Sequence, residues 1–328
     1  MKFLSTAFAA FALLATSVNG SPMLRMEAEG KSKTGLEQVQ QQQQSSGTSS
    51  SGCNLSGTYK KGTDISSCSS VTIGSLTVPA GVTLDLSKAK SGATITFTGT
   101  TTFGTAKWEG PLVLLGGSNL KVQGSGTLDG RGAWYWKQGQ SITRPVFFRL
   151  QNVISSTVSG FTLKNSPFRT FSISSTNTIF SNNLCCGGHG VSIGSLGGNA
   201  VDQGSTVQGL QVSGNTIQNS DNGIRIKTII GLKGLVSDVK YTNNKLQNVK
   251  NAIVMHSDYS KAKGGYTGSA TSQVQIKGVT VSGLTGSATN LYDIVANPKV
   301  VSDWSFSGIQ VSASQTGKAV GQPSSVDV

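Results

Sequence analysis

Along most of this chain apolar and polar residues alternate in short runs, broken by Asn and Gly, and stretches of helical periodicity are almost absent. The clearest runs are Gly190-Val191-Ser192-Ile193, Gly223-Ile224-Arg225-Ile226-Lys227 and Ala252-Ile253-Val254-Met255-His256. A period of two sends Ile224, Ile226, Ile253 and Met255 to the inside of a sheet and Arg225 and Lys227 to the outside. The runs also repeat. Val207 to Lys227 lies over Val236 to His256 at an offset of 29 residues, matching Leu210 with Val239, Asn215 with Asn244, Ile217 with Leu246, Asn219 with Asn248 and Asn222 with Asn251. An earlier copy beginning at Val158 lies over Val212 at an offset of 54. Units of this length, built of short strands with Asn and Gly at the corners, are the mark of a solenoid in which each coil stacks on the last. An all-β parallel β-helix is expected. A sandwich or propeller also uses short strands, but a sandwich does not require self-similarity at this period. Recurrent Asn215, Asn219, Asn244 and Asn248 are read as a stacked ladder that satisfies its own amides, not as catalytic groups.

The two ends of the chain change this picture in different ways. Lys2, an apolar run from Phe3 to Leu14 and small residues up to Gly20 have the form of a secretory signal over residues 1–20, which predicts an extracellular protein. The apolar run is too interrupted by Ser and Thr for a membrane span, and no membrane partner is expected after signal removal. Residues 21–52, with Gln40 to Gln44 and a Ser/Gly/Thr tract, have the composition of a disordered propeptide or linker, so one β-helix domain is expected over 53–328. Cys53 and Cys68 stand close enough in an exported chain to staple the amino-terminal cap. Cys185 and Cys186 are neighbours, poorly placed to bridge each other, and no further cysteine exists.

Charge adds a candidate ligand class. The chain of 328 residues carries a net charge of +13 and a sequence pI near 9.7, which favours a polyanion. Aromatic content is 7%, and no Lys/Arg cluster is interleaved with stacking residues, so nucleic acid is not expected. In the aligned coils His189 begins its strand at the level of Asn222, which puts His189, Arg225 and Lys227 on one exposed patch. Such a patch suits a ligand bearing carboxylates, Arg as a bidentate donor and Lys as a point charge; the alternative is a solvated basic face. The two histidines are not spaced with other ligands, and neither metal nor cofactor is expected.

Cys185-Cys186-Gly187-Gly188-His189-Gly190-Val191-Ser192-Ile193-Gly194 resembles the Gly-His-Gly segment of the endo-polygalacturonases, and Asn219-Ser220-Asp221-Asn222-Gly223-Ile224-Arg225-Ile226-Lys227 resembles their Arg-Ile-Lys segment. Leu128-Asp129-Gly130-Arg131-Gly132, Asn165-Ser166-Pro167 and Asn251-Ala252-Ile253-Val254 are also similar, and the likeness, fungal or oomycete in style, runs from about Cys53 to the carboxyl end. The resemblance implies a right-handed β-helix and a glycoside hydrolase that cuts the α-1,4 bonds of polygalacturonate with inversion. It implies the pectin of plant cell walls as the partner, and a monomer is expected. It gives His189 the role of holding the acid's proton or the sugar ring, Arg225 and Lys227 that of binding the substrate carboxylate, and Tyr292 that of lining the same cleft.

The departure from the family is equally specific. Between the strand matching Phe171-Ser172-Ile173 and the Gly-His-Gly coil, the family has an Asn-Thr-Asp coil and an Asp-Asp coil, whereas here Ser174 to Asn183 leads straight on. A solenoid shortened by about two coils is therefore expected, with Cys185 deprived of the partner the family places after Asp-Asp. Inverting hydrolysis needs one carboxylic acid and a second carboxylate. His189, Arg225 and Lys227 supply neither, and Asp202 and Asp221 are expected to be loop and corner residues. Three functions remain: a hydrolase from whose reading frame an exon's worth of coils has been lost, an inactive pectate-binding decoy or lectin-like module, and a purely structural solenoid.

Overall fold

Each coil of the chain stacks its apolar residues in inward columns, one of which runs almost the length of the fold. In the computed structural model, which describes residues 53–139 and 141–328, Leu86, Leu115, Leu150, Ile173, Ile193, Ile226, Met255 and Ile294 follow one another in parallel register from coil to coil. All eight are buried. Burial of each contributes about 1.5–3 kcal/mol, and a slip of one residue would turn the column to solvent. The 26 strands seen among the described residues join in one sheet, parallel at every ladder except where Tyr259 and Ser260 pair with Tyr266 and Gly265. This is a parallel β-helix. The expected interior residues Ile224, Ile226, Ile253 and Met255 are all fully buried.

The 29-residue offset read from the sequence is the coil-to-coil register itself, with Val207 opposite Val236 and Ile217 opposite Leu246. The offset of 54 spans two coils, because Phe180 stands between Val158 and Val212. The described residues fall in one compact unit, Thr48–Val328. The signal read at 1–20 and the linker read at 21–52 lie outside the described residues.

The asparagines divide into two kinds. Asn183, Asn215 and Asn244 form a buried ladder, Asn183 Nδ2 donating to Asn215 Oδ1 at 3.1 Å and Asn215 Nδ2 to Asn244 Oδ1 at 3.0 Å. Their amides also serve the backbone, as Asn215 N donates to Asn244 Oδ1 at 3.1 Å. Asn219 and Asn248 are corner residues with φ of 50° and 55°, a left-handed turn that Asn tolerates better than most side chains. They still meet, Asn248 Nδ2 donating to Asn219 Oδ1 at 2.9 Å. Cys53 and Cys68 are bonded at the amino-terminal end. Cys185 and Cys186 are free thiols. Cys185 points inward between Leu163 and Ile217, where burial raises its pKa and it packs as a small hydrophobe.

The buried ladder yields a stability test. Asn215→Ala strands a buried amide on each side and should cost about 1–3 kcal/mol in urea unfolding, whereas Thr216→Ala on the same coil should stay within about 0.5 kcal/mol.

Candidate functional site

Alternation places Arg225 and Lys227 outside the column, as read from the sequence, but neither is exposed. Arg225 is 5% and Lys227 3% accessible. The correction has a local cause: after Ser260 the chain turns back, and Gly265–Tyr266 pairs with the end of the strand Lys245–Ser260. Tyr266 stacks on His256 with centroids 3.6 Å apart, and the Tyr259 ring lies 3.8 Å from Lys227 Nζ. The patch expected to be open is a cavity of about 370 Å³, lined on its polar side by Arg144, Arg169, His189, Arg225 and Lys227.

His189 reaches this cavity because the chain on both sides of it, Gly187-Gly188 and Gly190, is free of side chains. Gly190 has φ of 69°, and a Cβ there would run into the carbonyl oxygens of Asn222 and Gly223 on the next coil. Phe168 meets the imidazole edge-on at 4.8 Å and carries the Arg169 guanidinium over its face at 4.8 Å. His189 Nδ1 lies 3.3 Å from Asp221 Oδ2. Burial, then the charges of Arg225, Lys227, Arg169 and Arg144, hold the imidazole pKa well below its usual value. The contact with Asp221 is therefore one between a neutral ring and a carboxylate, not an ion pair.

Arg225 Nε donates to Ser192 Oγ at 2.9 Å, which fixes the guanidinium, while its Nη2 is buried without a hydrogen-bond partner. Arg169 Nε is buried and unpartnered as well. Orphaned cationic donors around one cavity are costly, and an anion is what relieves them. Burial, then repulsion from Arg169 and Arg225, pushes the Lys227 pKa down to about 5. Its cation–π contact with Tyr259 offsets part of that cost.

Tyr292 is not brought to the site. It sits opposite Ile253, on the inner face, packed in the core and stacked with Phe306 at 6.5 Å. Tyrosines do line the cavity, but they are Tyr259 and Tyr266. Sequence reasoning also passed over His256, Asp258 and Asp293. Asp258 is fully buried, its Oδ1 2.6 Å from His256 Nδ1 and its Oδ2 accepting from Gly268 N at 2.7 Å. Asp293 Oδ1 lies 3.1 Å from His256 Nε2, and the nearness of His256 holds the Asp293 carboxyl below its usual pKa. The signal was available, since His256 falls opposite Lys227 in the repeat.

Asp202 does not approach the basic cavity. It caps the short helix Gln203–Ser205, its Oδ1 accepting from Ser205 N and Ser205 Oγ, each at 2.8 Å.

The stacked coils thus present basic donors to a cavity that suits an anion. The sequence profile described as "Glycosyl hydrolases family 28" matches residues 68–183 and 174–326, and the chain belongs to that family. It is similar to a polygalacturonase of Cochliobolus carbonum, 40% identical over 309 residues that cover 75% of this chain and 83% of the relative. It is similar also to endopolygalacturonase I of Aspergillus oryzae, 37% identical over 326 residues, 80% of this chain and 87% of that one. Among solved structures, endopolygalacturonase I from Stereum purpureum complexed with two galacturonates is 21% identical, with a TM-score of 0.43 over 80% of this chain and 99% of its own.

The buried amine sets a pH dependence. An unfolded lysine titrates near 10.4, so between about pH 5 and that value the unfolded chain binds one more proton than the folded one. Stability contributed at this position therefore rises as pH rises through that window and is lowest on its acid side. Lys227→Met should raise stability at pH 7 by about 1–3 kcal/mol and flatten its rise between about pH 6 and 9, measured by urea unfolding at a series of pH values.

Proposed function

We propose that this chain is an exported pectate-binding solenoid of family 28 that holds a galacturonate carboxylate against Arg225, Lys227 and Arg169 and does not itself hydrolyse the polymer. The observation that carries the reading is the cavity: four basic side chains reach it, the three arginines each with a buried donor unpartnered, and no acidic residue is among the described residues lining it. Inverting hydrolysis asks for two carboxyl groups about 6.5–9.5 Å apart with the bond between them. Asp221 faces His189, Asp258 is sealed against His256 and Gly268, and Asp202 is occupied as a cap. None of these forms a pair across the cleft.

What supports a shortened solenoid is where the family match breaks. The profile matches in two stretches that overlap over 174–183, the place where the acidic coils were expected. An alignment of 309 residues with the Cochliobolus carbonum polygalacturonase draws on only 75% of this 328-residue chain, so the relative carries positions with no counterpart here. Restoring such coils would supply the missing acid and base and make the same cleft a polygalacturonase. Sequencing the transcript across codons 165 to 190 separates the two: a longer message restores the hydrolase, and a matching one leaves the binder.

The protein of this sequence should bind oligogalacturonate, more weakly as salt is raised, because charge attraction is screened. It should release no reducing ends from polygalacturonate. Arg225→Ala should weaken binding by about 1–3 kcal/mol in calorimetric titration. Release of sugar by the unmodified chain but not by the variant would refute the assignment as a non-hydrolytic binder.

A further inference from the structure

We infer that Asn54 is a modification site, the attachment point of an N-linked oligosaccharide on the first coil of the stack. This rests on the export in the reading above and is independent of its galacturonan part. Asn54-Leu55-Ser56 is the one place among the described residues where Asn is followed, across a residue other than Pro, by Ser or Thr. The triplet opens the strand Asn54–Thr58, in which alternation separates its parts. Leu55 turns inward opposite Ile73 and is buried, while Asn54 and Ser56 turn outward and are exposed. The residue that anchors the strand is therefore not one that the modification needs.

The neighbours leave room for a large polar substituent. Gly57 has φ of 73°, with nothing within 4 Å of where a Cβ would stand. Gly74 on the next coil lies beside Ser56 and brings no side chain of its own. Asn54 faces Thr72, and the same outer file continues through Thr96 and Gln123, all uncharged. A hydrophilic glycan laid on that file covers no core residue and displaces no ion pair. The file of Arg225, with Ser192, Val254 and Asp293, belongs to a different ladder.

The nucleophile is the Asn54 side-chain amide nitrogen, and the donor is an oligosaccharide linked through pyrophosphate to a lipid. A bond forms from that nitrogen to C1 of the first N-acetylglucosamine as the C1–O bond breaks. The lipid pyrophosphate leaves with the electron pair, and the amide gives one proton to the medium. Chain order makes the triplet available for this step. Asn54 is synthesised before Cys68 and before Ser70–Val78, the strand against which it later pairs. Folding then fixes the backbone beside it, since Thr72 N donates to Cys53 O at 2.7 Å and Cys53 is bonded to Cys68.

The full chain of 328 residues, with its own leader, is expressed in a eukaryotic secretory host, and the exported protein is weighed before and after peptide N-glycosidase. The untreated protein should be heavier than its polypeptide and should lose the excess on treatment. The enzyme leaves aspartate where a glycan was attached, so peptide mapping should find that change at position 54. Asn54→Gln and Ser56→Ala should each remove the excess mass and leave oligogalacturonate binding as tight as before. Exported protein indifferent to the glycosidase, or excess mass that persists in Asn54→Gln, overturns the site while leaving export intact. A chain retained in the cytosol without a glycan overturns both.

Discussion

The rest of this structure depends on the phase of one inward column. Leu150, Ile173, Ile193, Ile226, Met255 and Ile294 hold every coil at the same rotation about the axis. Because side chains alternate, a fixed inward column fixes the outward ones. Ser192, Arg225, Val254 and Asp293 then fall in one outer file, and Gly194, Lys227 and His256 in the next. The site is a by-product of core packing, assembled from residues that share no local sequence. It also explains how a family member tolerates a change in coil number: each coil answers to its neighbours, and any whole coil with the right phase closes the stack.

Outward position and solvent exposure are separate properties here. Arg225 and Lys227 leave the core yet are sealed by Tyr259, Tyr266 and the turn between them. That cover removes water from the Arg169 and Arg225 guanidiniums and the Lys227 amine at once, which is unfavourable for the charged forms in the empty protein and makes each guanidinium a stronger partner for an incoming anion. Ser192 and the Phe168 face hold two of them in place before any ligand arrives. Stability is given up locally for preorganised charge.

Much of this was legible in the sequence because period and alternation are properties of residue order. The offset of 29, the inward Ile224 and Met255, and the grouping of His189 with Arg225 and Lys227 all came from counting. The cover was not legible, because the excursion from Lys261 to Ser272 has no repeat partner and its path is decided by tertiary contacts such as Gly268 on Asp258. Tyr292 was a different kind of miss. Its parity with Ile294, and its alignment with Ile253, put it inside, and a short local motif was allowed to outweigh both. The Asn positions shared a period but not a role, since backbone twist at Asn219 and amide burial at Asn215 look alike as letters.

Cys185 has a consequence for how the molecule comes into being. Once packed between Leu163 and Ile217 its thiol is out of reach of oxidants, but during synthesis it is one of four reactive sulfurs on an open chain. In an oxidising compartment a nascent chain can trap Cys53 or Cys68 on the wrong partner, and thiolate exchange must undo the error before the middle coils close over it. The yield of correctly folded protein in such a compartment then depends on isomerisation outrunning coil closure.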